Sequence, residues 1–174
     1  MGGHASVRLP VPMQALTWDD GGRRWLLPAA LVLEVVRCAA PTPVALAPAA
    51  PPALLTALLG SVHWHGRNVP LLWLGADAAT APPAAPHGRE PTAATRMRAV
   101  ICPLLDARIG IEAVAFAANG VPSMLLLRDG EPQPEPSAGE PFTAAGLRLG
   151  NLRCAVPDLD AVGRALIELA PALT

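Results

Sequence analysis

Two histidines, His63 and His65, lie on either side of Trp64. The residues around them alternate between polar and apolar, which predicts a β-strand with both imidazole rings on one face. Two imidazoles at this spacing could supply half of a zinc site, which needs three or four ligands. The other histidines, His4 and His87, lie in segments without a strand or helix pattern. The pattern favours two surface or interface histidines, and the alternative is a metal-binding or enzymatic β-barrel that uses His63 and His65.

Cys102 is a candidate nucleophile that could use His63 or His65 as its base. It lies at the end of a strand pattern, and no third residue or oxyanion hole is recognisable beside it. Together with Cys38 and Cys154 it makes three widely spaced cysteines, which are typical of buried thiols in a reducing cytosol. We therefore predict a non-enzymatic protein with no catalytic residue and no cofactor.

The paired carboxylates have structural explanations. The sequence Asp19-Asp20-Gly21-Gly22 predicts a turn, and Asp158 with Asp160 predicts the start of a helix. Glu34 differs, because it is a single charge within an apolar strand pattern. It lies either on the solvent side of that strand or at a surface that binds a partner.

The charges of the chain argue against several classes of protein. The formal net charge of the 174 residues is -1, and basic residues are never more than two in a row (Arg23-Arg24). A nucleic-acid-binding surface needs a basic cluster, so we expect no nucleic acid partner. The apolar runs are too short to span a bilayer or are broken by proline, and the N-terminus lacks the pattern of a secretory signal. We expect a cytoplasmic protein without membrane insertion.

The first half of the chain predicts five short strands, which suggest a small barrel. The strands cover residues 13–18, 24–28, 31–37 and the two arms of residues 59–74, and a short helix covers residues 52–59. The last two strands form a hairpin that turns at Gly66-Arg67-Asn68, since glycine and asparagine tolerate positive φ. Its second arm is almost continuously apolar, as in a strand buried on both faces, and Trp73 in it is assigned to the core. Trp64 in the first arm fits the core or a partner surface equally well.

The second half predicts a further barrel and a final helix. Strand patterns cover residues 97–102, 108–114, 121–127 and 147–155, and the helix covers residues 157–169, with Leu159, Val162, Leu166 and Leu169 on its apolar face. Proline-rich segments at residues 75–95 and 129–141 predict loops. The predicted organisation is one domain with subdomains at residues 13–74 and 96–156, a linker at 75–95 and a C-terminal helix at 157–170.

Three blocks in the first half carry a resemblance to a known family. Residues 31–37 read Leu-Val-Leu-Glu-Val-Val-Arg, and residues 41–44 read Pro-Thr-Pro-Val. In the third block, the residues that match the family's core motif are Gly60, Val62, Gly66, Val69, Pro70, Leu71, Leu72 and Leu74. In this order the blocks resemble the CheW-like domain, the adaptor fold of bacterial chemosensory arrays.

The resemblance implies an all-β fold of two small five-stranded SH3-like barrels packed together, with a short C-terminal helix. It also implies a signal-transduction adaptor that couples a methyl-accepting chemoreceptor to a CheA-type histidine kinase. The residues that it and the hairpin pattern place at a protein-binding surface are Glu34, Trp64, His65, Gly66, Arg67, Val69 and Pro70.

The chain departs from the family pattern at this hairpin. The family's Arg-Gly pair is His65-Gly66 here, with Arg67 one position later, and His63 stands where the family has asparagine. In the second half, Glu112 and its neighbours include no aspartate where the family has one. These departures indicate a divergent branch, such as the ChpC-like accessory proteins of type IV pilus chemosensory systems.

Overall fold

A computed structural model describes residues 12–38, 40–44, 50–75, 97–104, 110–136 and 140–167. Within these ranges the chain is mainly β-structure, with two short helices. The strands are β1 (Met13–Asp19), β2 (Arg24–Pro28), β3 (Glu34–Arg37), β4 (Leu58–Trp64), β5 (Arg67–Leu72), β6 (Met97–Pro103), β7 (Ala113–Asn119), β8 (Ser123–Leu127), β9 (Pro132–Glu135), β10 (Thr143–Leu149) and β11 (Leu152–Pro157). The α-helices are α1 (Pro52–Ala57) and α2 (Leu159–Leu166).

The strands form two sheets, which confirms the all-β prediction with a short C-terminal helix. Sheet A has the order β8-β1-β2-β11-β10-β9, and sheet B has the order β3-β6-β7-β5-β4. The described strands thus divide six to five. The expectation that the first five strands form one set is wrong, because the β1–β2 hairpin joins strands from the C-terminal half in sheet A. Strands from the two halves of the chain are joined by parallel pairing of β2 with β11 and of β5 with β7. Pairing between such distant segments leaves no local pattern in the sequence.

Sheet B curls so that its two ends meet. Beyond β3, Thr42 exchanges two backbone hydrogen bonds of 2.8 Å with Ser61 in β4. Gly60 makes this approach possible: its φ is +139°, and a Cβ at this position would overlap with the carbonyl oxygen of Thr42. Gly60, one of the two glycines that match the family motif, is therefore the point at which this sheet closes.

Three clusters of buried side chains fill the fold. One belongs to sheet A and includes Leu26, and one belongs to sheet B and includes Leu71 and Trp73. The largest lies between them and contains Trp25 and Leu72. Trp25 precedes Leu26 and Leu72 follows Leu71, so each pair points to opposite faces of its strand. Strands β2 and β5 are thus buried on both faces, as the sequence predicted for β5. The assignment of Trp73 to the core is confirmed, since it is buried.

The helices lie against the shared cluster. Asp158 caps α2 by accepting a hydrogen bond of 2.8 Å from the backbone amide of Ala161, as its sequence position predicted. Val162 and Leu166 of α2 are fully buried in the shared cluster, and Leu54 of α1 joins them. No helix in the described ranges is long and apolar enough to cross a membrane.

Several element boundaries differ from the sequence prediction. A 3-10 turn at residues 29–31 delays the third strand to Glu34. The run predicted at 147–155 is a hairpin, because Gly150 adopts a φ of +58° and reverses the chain between β10 and β11. The strand expected at 108–114 begins at Ala113 and runs to Asn119, through alanines whose weak strand preference hid it.

The proline-rich segment at 129–141 contains a strand that the sequence analysis took for loop. Strand β9 has prolines at both Pro132 and Pro134, and it lies at the edge of sheet A, paired with β10. Proline is tolerated there because an edge strand needs hydrogen bonds on one side only. The predicted linker at 75–95, apart from Gly75, and the helix residues after Ile167 lie outside the described residues.

Candidate protein-docking surface

The β4–β5 hairpin turns at His65-Gly66, one residue earlier than the sequence analysis placed the turn. The register pairs Trp64 with Arg67, which leaves a two-residue loop. His65 has a φ of 48° and Gly66 a φ of 79°, and two successive positive φ values are the mark of a type I′ turn. Arg67 and Asn68 are therefore strand residues rather than turn residues.

The tip of this hairpin is tied to Glu34 on strand β3. The indole Nε1 of Trp64 donates a hydrogen bond of 2.7 Å to Glu34 Oε2, and His65 Nε2 lies 3.1 Å from the same oxygen. The rings of Trp64 and His65 meet edge to face, with their centroids 4.6 Å apart. Three of the residues that the sequence analysis placed at a protein-binding surface, from segments thirty residues apart, thus form one cluster.

Hydrogen bonding makes Glu34 a persistent anion. The Trp64 indole, followed by His65, holds the pKa of the Glu34 carboxyl below its ordinary value, because both donors stabilise the ionised form. Because the pKa of Glu34 is lower in the folded state than in the unfolded state, these contacts stabilise the fold at pH values above the unfolded-state pKa. This stabilisation is lost as the pH falls through the folded-state pKa. At neutral pH the cluster therefore presents a carboxylate that is hydrogen-bonded to the indole of Trp64.

Arg67 lies beside this cluster and pairs with Glu112, a residue that the sequence analysis did not assign to the surface. The guanidinium donates to the carboxylate, with 61% of the Arg67 side chain and 75% of the Glu112 side chain exposed. Exposed ion pairs contribute little to stability, so Arg67 can exchange this partner for another carboxylate at small cost. Glu112 lies just before β7, which is the neighbour of β5 in sheet B. Only this tertiary arrangement shows that Glu112 lies beside Arg67.

Two residues of the predicted surface are buried instead. Val69 is 3% exposed and Pro70 is also buried in sheet B. Their side chains are therefore not accessible to a partner in the chain as it is folded here. The physical reason is that the second arm of the hairpin lies inside the sheet, between β4 and β7. Their role is to hold the exposed tip in place.

Apolar side chains in and just before the edge strand β3 are exposed, which the sequence did not predict. Leu33 is 51% exposed and Val35 is 37% exposed, although a continuous apolar run normally indicates a buried strand. Strand β3 lies at the edge of sheet B, which leaves these side chains accessible. We refer to Glu34, Trp64, His65, Gly66, Arg67 and Glu112 as the docking surface.

The residues that could have supported catalysis do not form a site. Burial raises the pKa of the Cys102 thiol to about 12, so it remains protonated and is a poor nucleophile. His65 contacts Glu34, while His63 is exposed on β4. Among the described residues no three histidine, cysteine or acidic side chains converge as metal ligands, and both His4 and His87 lie outside those residues. The three cysteines are free and buried, as predicted.

We expect the purified protein to contain no stoichiometric zinc. His65 already shares Glu34 with Trp64, so a metal there would have to displace the indole and would still lack a closed ligand set. Elemental analysis of the protein, with His63→Ala as the matched variant, measures this directly. About one zinc per chain that is lost in the variant would contradict the expectation.

Comparison with solved structures finds a protein with a similar fold. The scaffolding protein TtCheW from Thermoanaerobacter tengcongensis superimposes with a TM-score of 0.54 over 89% of this chain and 90% of that chain. The chain has a CheW-like fold. No family model matches its sequence and no curated protein matches it, and identity to TtCheW is 14%. At this identity it is the fold alone that the two proteins are shown to share.

Proposed function

We propose that this protein is a non-enzymatic chemosensory adaptor in the cytoplasm, which couples a methyl-accepting chemoreceptor to a CheA-type histidine kinase. The observation that carries the proposal is the CheW-like fold, which extends over nearly the whole chain and nearly the whole of a protein described as a scaffold. The family blocks in residues 31–74 support it from the sequence. The protein would act by binding the active and inactive states of the kinase unequally, which shifts their populations.

The docking surface has the composition of a protein-binding site. It combines an aromatic side chain and an arginine, and tryptophan and arginine are among the residues most often responsible for interface affinity. Contacts with Glu34 hold the side chains of Trp64 and His65 in place. Partner binding at this surface would therefore require little ordering of the hairpin.

The same surface also supports the proposal of a divergent branch. In the family pattern an arginine stands immediately before the hairpin glycine, whereas here His65 occupies that position and Arg67 follows the glycine. Position 65 lies in the two-residue loop, whereas Arg67 is the first residue of β5, so the cation approaches a partner from the β5 side. A ChpC-like protein of a type IV pilus system, with a kinase and receptor adapted to this geometry, would account for the change.

We expect Arg67→Glu to reduce binding to the kinase regulatory domain or the receptor tip encoded beside this protein by at least about tenfold, since it reverses the charge offered to a partner carboxylate. Trp64→Ala should have a similar effect through loss of the aromatic contact. Calorimetry with the purified fragments measures both. The fold should persist in Arg67→Glu, because an exposed charge usually changes the free energy of unfolding by less than about 0.5 kcal/mol.

Arg128→Glu is the matched control, since Arg128 is an exposed arginine that follows β8 in sheet A, away from the docking surface. It should bind like the wild type. If the wild-type protein binds neither fragment, the adaptor function is wrong. If the wild type binds and both Arg67→Glu and Trp64→Ala bind equally well, the function stands and the docking surface is misplaced.

A further inference from the structure

The ring of His65 is an exposed, titratable group at the tip of the docking surface. Its side chain is 69% exposed, and its Nε2 lies 3.1 Å from Glu34 Oε2. The same oxygen accepts the hydrogen bond from the Trp64 indole. Histidine is the side chain whose ordinary pKa places its charge change between about pH 5 and 8. The charge at the hairpin tip therefore depends on whether this ring holds a proton.

The contact with Glu34 determines which ring nitrogen is left for a partner. An ionised carboxylate only accepts hydrogen bonds, so the neutral ring must carry its hydrogen on Nε2 to bind Glu34. Nδ1 then carries no hydrogen, and it has no hydrogen-bond partner among the described residues. Protonation places a hydrogen on Nδ1. The remaining nitrogen thus changes from an acceptor to a donor, while the bond from Nε2 to Glu34 becomes charge-assisted on both sides.

Four other charged or titratable side chains of the described residues lie on the elements next to the tip. They are Glu34 on β3, His63 on β4, Arg67 on β5 and Glu112 just before β7. Glu34 stays ionised from pH 5 to 8, because hydrogen bonds from Trp64 and His65 hold its pKa below the ordinary value. Arg67 keeps its charge and is paired with Glu112. His63 points to the opposite face of β4 from Trp64, because side chains alternate along a strand.

The net charge of the docking surface therefore changes with the state of His65. Its two carboxylates and one guanidinium leave one negative charge while the ring is neutral, and the imidazolium cancels that charge. A carboxylate of the partner is the group expected to pair with Arg67. Protonation of His65 reduces the repulsion of that carboxylate and offers it a second donor.

We propose that His65 makes the docking surface pH-sensitive, so that the affinity for an acidic partner surface rises as His65 takes up a proton. It rests on the proposed adaptor function, since a partner carboxylate is the group that responds to the change. Binding and protonation are linked, so the partner in turn favours the protonated ring. Trp64 shares the Glu34 oxygen with His65 and meets its ring edge to face, which makes the indole a reporter of the same event.

Nuclear magnetic resonance of the free full chain tests the switch without a partner. The Nε1–H signal of Trp64, assigned by its loss in Trp64→Phe, should shift between about pH 5 and 8 as the neighbouring ring titrates. The shift should vanish in His65→Asn, a variant that keeps the hairpin because Asn-Gly is a favoured pair for a type I′ turn. His63→Gln is the matched control and should titrate like the wild type. A wild-type signal that is constant with pH, or one that still shifts in His65→Asn, would overturn the proposal.

Calorimetry with the kinase regulatory domain or the receptor tip, at constant ionic strength, tests the effect on binding. The wild type should bind about threefold or more tightly at about pH 6 than at about pH 8. His65→Asn should lose this difference, and His65→Arg should bind equally well at both pH values, since its charge is permanent. His63→Gln should keep the difference. Binding whose pH dependence is the same in the wild type and His65→Asn overturns this proposal and leaves the adaptor function standing. If neither fragment binds at either pH, the adaptor function is wrong and this proposal fails with it.

Discussion

Replacement of Gly60 by alanine is expected to lower the melting temperature by about 4–24 °C, from a cost of about 2–6 kcal/mol at roughly 2–4 °C per kcal/mol for a chain of this size. Two effects add at this position. A φ of +139° is a conformation that residues with a side chain rarely adopt, which costs about 1–3 kcal/mol. The new methyl group would also overlap with the backbone of Thr42, and overpacking of this kind costs about 1–3 kcal/mol.

The second effect is what distinguishes Gly60 from the other glycines with positive φ. The obstructing atom is a backbone carbonyl that takes part in the Thr42–Ser61 pairing, so it cannot move aside without opening the seam of sheet B. Gly60→Ala should therefore also weaken the contact between Glu34 and the hairpin tip. Hydrogen exchange of the β3 and β4 amides would show whether the seam opens before the rest of the fold.

Gly150→Ala provides the control. Gly150 has a φ of +58°, in the left-handed helical region, and nothing lies within 4 Å of where its Cβ would be. Only the conformational cost applies, about 1–2 kcal/mol. Equal melting temperatures for Gly60→Ala and Gly150→Ala would show that the close approach of Thr42 does not exist in solution.

Replacement of Asp20 by alanine is expected to reduce the free energy of unfolding by about 2–4 kcal/mol, because it leaves a buried donor unpaired. Asp20 is fully buried, and its Oδ2 accepts a hydrogen bond of 2.6 Å from the indole of Trp25, which is itself fully buried. Its Oδ1 accepts from the backbone amides of Gly22 and Arg23. The sequence analysis assigned Asp20 to turn chemistry, which is correct for Oδ1 but omits the contact with Trp25.

Asp19→Ala is the matched control for this prediction. Asp19 makes one exposed hydrogen bond to the amide of Gly21, so its loss should cost about 0.5–1.5 kcal/mol. Urea denaturation of both variants and the wild type measures the difference. A loss for Asp20→Ala no larger than that for Asp19→Ala would contradict the assignment of Asp20 as the partner of Trp25.

Asp20 also gives the stability a dependence on pH. Burial raises the pKa of its carboxyl above the ordinary value of 3.8, although the Trp25 indole and the turn amides lower it in part. The folded state therefore binds this proton more tightly than the unfolded state, and the resulting stabilisation is lost as the pH rises through the folded pKa. The free energy of unfolding of the wild type, relative to Asp20→Asn, should fall as the pH rises from below 3.8 and become constant towards neutrality. An unchanged difference across that range would exclude a raised pKa.

The sequence was sufficient for the features that depend on residues close together in the chain. The β1–β2 hairpin, the cap of α2 by Asp158 and the position of Pro52 at the start of α1 all follow from residues within a few positions of one another. The two-sided burial of β5 was also predictable, since a continuous apolar run needs cover on both faces. These features, with the family blocks, were sufficient for the all-β class.

Tertiary structure decided which distant segments meet. Strand β2 pairs with β11 through Trp25 and Ala155, and β1 pairs with β8, and no local periodicity encodes either pairing. Burial of the second arm of the hairpin removed Val69 and Pro70 from the predicted surface, while the edge position of β3 exposed Leu33 and Val35.

The docking surface also combines residues that the sequence identified with contacts that only the tertiary structure shows. The sequence identified Glu34, Trp64, His65 and Arg67 by their types, since a charge in an apolar strand and an aromatic near a turn are both unusual. It could not show that Glu34 accepts from Trp64 or that Arg67 reaches Glu112. The physical reason is that strand propensity and turn chemistry act over a few residues, whereas hydrogen bonds and cavities form wherever the packed sheets bring side chains together.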